Sequence, residues 1–324
     1  MPRNKTLLCA VLLLLVVRQA ICFAENGVQA TKDDQGIRFR EAGEEILFYQ
    51  LKPKSQAGQH SRNNYIHPLY DLDENILTED FPADHPHHRG IFWAWHQIQV
   101  DGKDIADSWI SENFACDIVS TRITQQKDSS ATVRLKVLWR CRSPGTSDNH
   151  KLEISIVEET TTLRVYPSAN DQRKLDFEIR LLALTAGVSI GGSNDEKEYG
   201  GFSARLRLPN DIKFRGIHGP IEPQITCVDA GPVVALTGSF GAGGQNSVAI
   251  LCHSSLPEVA QRWVLRRESS MQNSIFPGRI PVDVSQSQPI VLRYRLVLQR
   301  DSLTDDSLSR LLESYSAEVP GLEM

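Results

Sequence analysis

The stretch Thr132-Val-Arg-Leu-Lys-Val-Leu-Trp-Arg140 decides the fold. Val133, Leu135, Val137 and Trp139 alternate with Thr132, Arg134, Lys136 and Arg140. A period of two gives a strand one buried and one wet face. The pattern recurs outward from there. Leu152, Ile154 and Ile156 alternate with Lys151, Glu153 and Ser155, and Phe177, Ile179 and Leu181 with Asp176, Glu178 and Arg180. Phe202, Ala204, Leu206 and Leu208 alternate with Ser203, Arg205 and Arg207, and Ile290, Leu292, Tyr294, Leu296 and Leu298 enclose Arg293 and Arg295. Turn signals separate these runs: Ser143-Pro144-Gly145, Pro209-Asn210-Asp211, Gly219-Pro220 and Gly231-Pro232. Gly238 to Gly244 reads as a loop and lacks the Gly-Lys-Ser/Thr ending of a phosphate cradle. Strand after strand without intervening helices predicts antiparallel sheets in a sandwich or barrel. One helix is expected at the end, with Leu308, Leu311, Leu312 and Tyr315 on one face, Thr304 as cap, and Asp305 and Asp306 favouring its N-terminus.

Composition sets the outer bounds. The 324 residues are 40% hydrophobic and 23% charged, ordinary globular values that exclude disordered and collagen-like chains. With 35 basic and 40 acidic residues, nothing predicts nucleic acid or an anionic membrane as partner. Arg3 and Lys5 precede an apolar run from Leu7 to Val17, and Cys22-Phe23-Ala24 offers small residues at −3 and −1. This is the layout of a signal peptide, residues 1–24, cut near Ala24. Arg18 directly after the apolar run leaves an uncleaved anchor as the alternative. Cleavage removes three cations and no acid, taking the net charge from −5 to −8. No later run is apolar enough for a membrane helix, so residues 25–324 are expected as one exported domain, periplasmic or secreted. Cys116, Cys141, Cys227 and Cys252 remain, open to disulfides or to buried free thiols.

The chemistry concentrates between Tyr65 and His96. Six of nine histidines, His60, His67, His85, His87, His88 and His96, fall in 37 positions. Histidine suits proton transfer near neutral pH and metal ligation. In an extended segment His85 and His87 share one side and His88 the other. Asp84 can orient an imidazole, Arg89 can hold a carboxylate or hydroxyl, and Trp93 and Trp95 can stack on a sugar ring. Glu196-Lys-Glu-Tyr-Gly-Gly-Phe-Ser203 and Ser269-Ser-Met-Gln-Asn-Ser-Ile-Phe-Pro-Gly-Arg279 are candidate partners. They contribute Glu198 and Tyr199, and Gln272, Asn273 and Arg279. Glu222 is a further carboxylate, at a turn. The competing reading makes these a polar turn network, core tryptophans and plain loops.

Three stretches carry a resemblance: Asp84-His-Pro-His-His-Arg-Gly90 with Trp93-Ala-Trp-His96, Tyr199-Gly-Gly-Phe-Ser203, and Ser270-Met-Gln-Asn273 with Phe276-Pro-Gly-Arg279. They are similar to the PmoA-like family of exported bacterial proteins, common in planctomycetes and similar polysaccharide degraders. The resemblance covers nearly the whole mature chain and implies an exported setting. Its label is methane oxygenase. A particulate methane monooxygenase subunit is a polytopic membrane protein, so that activity is not expected of a chain without later membrane spans.

The resulting expectation is an all-β two-sheet sandwich, similar to the galactose-mutarotase-like supersandwich. Its concave face would hold the His-rich segment, and the three stretches would converge on one pocket. The expected function is an exported enzyme on a sugar or oligosaccharide: an epimerase, lyase or hydrolase. His87 or His88 is its general base or acid, with a carboxylate such as Glu198 or Glu222 as counterpart. His67, Asp84, His85, Arg89, Trp93, Trp95, Tyr199, Gln272, Asn273 and Arg279 bind the substrate. No cofactor is expected. The alternatives are a non-catalytic glycan-binding module, and a divalent-metal enzyme using His85, His87 and His96.

Overall fold

Alternation along Ala131–Cys141 buries Val133, Leu135, Val137 and Trp139 completely or nearly so and leaves Lys136 in water. The same rule builds its neighbours in the computed structural model, which describes residues 27–142, 154–241 and 243–318. The signal-peptide expectation, the turn at Ser143-Pro144-Gly145 and Leu152 lie outside those residues. Strand accounts for 56% of the structure and helix for 5%, as an all-β sandwich requires.

Two nine-stranded sheets make the body. In spatial order the first runs Val28–Lys32, Gly36–Glu41, Glu44–Gln50, Tyr65–Leu69, Ile91–Trp95, Gly200–Ala204, Met271–Ser274, Arg262–Arg266 and Val228–Asp229. The second runs Phe114–Gln125, Ala131–Cys141, Ile154–Val165, Gln172–Ala183, Ile290–Arg300, Gly244–Cys252, Val233–Gly241, Lys213–Gly216 and Gly219–Ile221. Every pairing in both is antiparallel. Trp95 meets Trp139 at 5.4 Å between ring centroids, and Phe202 stacks on Tyr294 at 4.5 Å, so the core lies between the sheets.

Three local expectations change. Gly238–Gly241 is not loop but the end of a strand, paired with Gly244–Asn246 across an irregular register. Gly219-Pro220 opens a short edge strand rather than a free turn. The outward residues Asp176 and Glu178 are buried, not wet, because Arg295 and Arg293 pair with them at 2.6 and 2.8 Å. The helix Asp305–Ala317 covers that outer face, with Leu308 and Tyr315 against Val233, Ala249 and Val297. Thr304 and Ser307 close its N-terminus reciprocally as a capping box. All four described cysteines are free thiols. Among the described residues no helix is long and apolar enough to cross a membrane.

Candidate functional site

The strand that follows the His-rich turn, Ile91–Trp95, pairs with Gly200–Ala204, which pairs with Met271–Ser274, so the three stretches neighbour one another in the first sheet. All three strands are buried on both faces. Trp93 and Trp95 face the sandwich core, whereas Phe92, Ala94 and Met271 form a separate apolar cluster with Tyr65 and Trp109. This outer cluster is the floor of the candidate site.

Segment 84–89 is not extended. Pro86 sits inside a turn closed by the His88 amide on the His85 carbonyl at 2.8 Å, a position its fixed φ favours. The turn therefore stacks His85 on His88, with ring centroids 4.7 Å apart and planes within 6°. His87 lies edge-on to His88 at 4.5 Å and near His60 at 6.3 Å. Two buried arginines hold the turn by its backbone. Arg62 donates to the Pro86 and His88 carbonyls at 2.6 and 3.0 Å and pairs with Asp80. Arg89 donates to the His87, Ser108 and Trp109 carbonyls at 3.3–3.4 Å. Gly90 is required where it stands: a Cβ there would meet the Ile66 carbonyl oxygen at 1.7 Å.

Hydrogen bonds assign the rings their roles. Arg205 carries an obligate cation and no acceptor. It approaches His88 Nδ1 at 3.2 Å, so Nδ1 must accept and the proton of neutral His88 sits on Nε2. The same guanidinium binds Glu79 and Asp84, each at 2.7 Å. Asp84 accepts from His85 Nδ1 at 3.0 Å, and Asp107 from His96 Nδ1 at 2.8 Å, which leaves each Nε2 turned away from its carboxylate. Burial first, then His87 and Arg205, pushes the His88 pKa down to about 2. Burial first, then His85 and His60, takes His87 to about 4. Both are neutral at pH 7. Burial opposes the Asp84 charge, yet hydrogen bonds from His85, Arg205 and Ser269 outweigh it and hold the carboxyl well below its usual range.

Trp109, which the sequence reading missed, joins these parts. His96 stacks on it at 5.2 Å, His88 meets it edge-on at 6.1 Å, and Tyr199 packs against it at 5.1 Å. Asp107 takes the Trp109 and Ile110 amides on one oxygen and His96 on the other. The sequence signal was Asp107-Ser-Trp109 itself, an Asx turn presenting an aromatic. Arg205 was also missed, because as the outward residue of an alternating run it read as a wet strand position. Arg266 lies over the Tyr199 ring at 5.8 Å.

Several predicted residues do not line this surface. Trp95 is fully buried with Nε1 on the Phe276 carbonyl, and Trp93 is 5% exposed in the core, so neither is a sugar platform. Gln272 spends its amide on the Arg266 backbone, and Asn273 on Gly200, Phe202 and Ser203. Both are fully buried and fasten strands together. Arg89 likewise grips backbone and is buried beneath the turn. Glu198 is committed to Arg262 at 3.1 Å, and Glu222 is an 84%-exposed side chain beside Arg267 at the edge of the second sheet. Arg279 is exposed and bonds Asn194. His67 bonds Thr78 and is driven by burial to about 4. Asp84 and His85 do join His87 and His88, and Tyr199 joins them through Trp109. His96 is held apart by Asp107 and Trp109. Among the described residues no group of three His, Cys, Asp or Glu side chains could hold a metal ion.

A family model described as a family of unknown function, DUF6807, matches residues 36–313. No curated protein matches the chain.

Proposed function

We propose that this chain, which belongs to the DUF6807 family of unknown function, is an exported carbohydrate-active enzyme working on a sugar or oligosaccharide by His/carboxylate acid-base chemistry. Export and kinship to PmoA-like proteins are parts of the same proposal. The observation that carries it is the fixed division of labour between adjacent imidazoles. Neutral His88, with Nδ1 on Arg205, offers an Nε2–H donor. Neutral His87, 4.5 Å away, makes no ring hydrogen bond within the described residues and keeps a lone pair for a proton.

The chemistry this supports is proton abstraction with stabilisation of the oxygen that gains charge. His87 takes the proton, and His88 donates a hydrogen bond to the oxygen without giving its proton up. A neutral imidazole acting as electrophile needs its basic nitrogen occupied, which Arg205 does. The supporting carboxylates are Asp84 and Asp107, which orient His85 and His96, in place of Glu198 and Glu222. Tyr199 with Arg266 supplies the aromatic and polar rim that sugar recognition uses.

The test is a panel of neutral and acidic oligosaccharides followed by NMR for epimerised, cleaved or unsaturated products. His87→Gln should lose about 10²-fold or more in turnover while ligand affinity changes little. Binding without turnover in the natural protein would favour the glycan-binding module instead. Activity that vanishes on dialysis against chelator and returns with a divalent metal would favour the metal enzyme.

A further inference from the structure

Beneath the His turn lies a cavity of about 40 Å³ whose lining includes Arg62, Asn63, Arg89, Ser111 and Cys116. Its two cations are unequal. Arg62 has Asp80 at 2.6 Å. Arg89 is 5% exposed and has no carboxylate within ion-pair distance among the described residues; its bonds go to three carbonyls, and the Phe92 ring lies 4.4 Å from its guanidinium carbon. Nε of Arg62 and Nε of Arg89 are both buried without a hydrogen-bond partner. A buried guanidinium without a counter-ion is strongly unfavourable, and a second one nearby adds repulsion. Water in the cavity would leave that charge unneutralised.

We propose that this cavity is a binding site for one small monovalent anion of chloride or formate size. A water-sized occupant needs about 10–15 Å³ of such space, so a halide or a one-carbon carboxylate fits, and the single unpaired guanidinium matches one negative charge rather than the two of sulfate. The anion neutralises Arg89. Arg62 and Arg89 also grip the Pro86, His87 and His88 carbonyls, so the bound anion fixes the His turn from below. The proposal does not depend on the enzymatic reading, and its test needs no substrate.

The full chain is melted in sodium gluconate while chloride or formate replaces gluconate at constant ionic strength. A saturable Tm rise of about 2–4 °C is expected for both anions and not for sulfate. The ³⁵Cl line should broaden with protein and sharpen again as formate competes, which separates the two sources of the shared chemistry. Arg89→Gln should abolish the rise. Should that variant not fold, Ser111→Asp provides a second arm: its tethered carboxylate, at a left-handed position (φ 61°) that Asp tolerates, should raise Tm in gluconate and remove the response to chloride. No chloride or formate effect in the natural protein, an equal effect with sulfate, or an undiminished chloride effect in the folded variants would each overturn the site.

Discussion

The two large sheets are built from the same chain by different rules. The second sheet has strands of 11 or 12 residues between Phe114 and Ala183, joined in sequence order. Its outward polar residues are closed off by complete ion pairs: Arg295 meets Asp176 and Glu318, and Arg293 meets Glu178. The centre of the first sheet has strands of 4 or 5 residues drawn from distant parts of the chain. Its outer face is covered not by a helix but by Trp109 and a group of imidazoles. The second sheet pairs its buried Asp176 and Glu178 with arginines and holds its buried Glu159 by neutral donors from Asn64, Trp139 and Thr161, and it reads as scaffold. Among the described residues the first leaves Arg89 without a carboxylate and the His87 ring without a hydrogen bond, and the proposed ligand sites rest on that incompleteness.

The largest effects should separate scaffold from site. Arg295→Leu strands the buried Asp176 carboxylate and should cost about 3–5 kcal/mol, read by urea unfolding, with the His88 NMR signals unchanged in the folded protein. A cost below about 1 kcal/mol would contradict a complete, buried pair. Trp109→Ala should cost about 3 kcal/mol and in addition shift the His88, His96 and Tyr199 resonances. Loss of stability with those signals in place would deny Trp109 its joining role.

A pH series sharpens the contrast. The folded pKa values of His67 and His87 are about 4 and that of His88 about 2, against an ordinary value near 6.5. Between these limits the unfolded chain binds more protons, so stability rises with pH and is lost as pH falls below about 6.5. His253, also lowered by burial, acts in the same direction. Asp80 and Asp84, held below their usual range, withdraw their support only below about pH 4. His88→Gln keeps an acceptor for Arg205 and removes the titration. It should flatten the slope by up to about 1.4 kcal/mol per pH unit. An unchanged slope would mean that His88 titrates normally in the fold.

The legibility of the sequence follows the same division. Where strands are long and one face is apolar, as in Ala131–Cys141 and Ile290–Arg300, period two reads directly, and so does the capped helix from Thr304. The His cluster was visible as composition, but its geometry was not. Pro86 makes a turn there, and the stacking of His85 on His88 follows from that turn. Trp93 and Trp95 look like a platform by type, and only the pairing of their strand on both sides shows that they are core. Gln272 and Asn273 look like ligand groups because a polar side chain that fastens strands has the same identity as one that holds a hydroxyl. Arg205 was hidden by its own pattern, since alternation marks a position as outward without saying what covers it.

Arg205 holds His88 as a neutral Nε2–H donor beside His87, whose ring makes no hydrogen bond among the described residues. Two-dimensional ¹H–¹⁵N spectra of the histidine rings test it most directly. His88 should be the Nε2–H tautomer at pH 7, stay neutral down to about pH 4, and lose that fixed tautomer in Arg205→Met. A His88 ring protonated on Nδ1, or doubly protonated near pH 6, would contradict it.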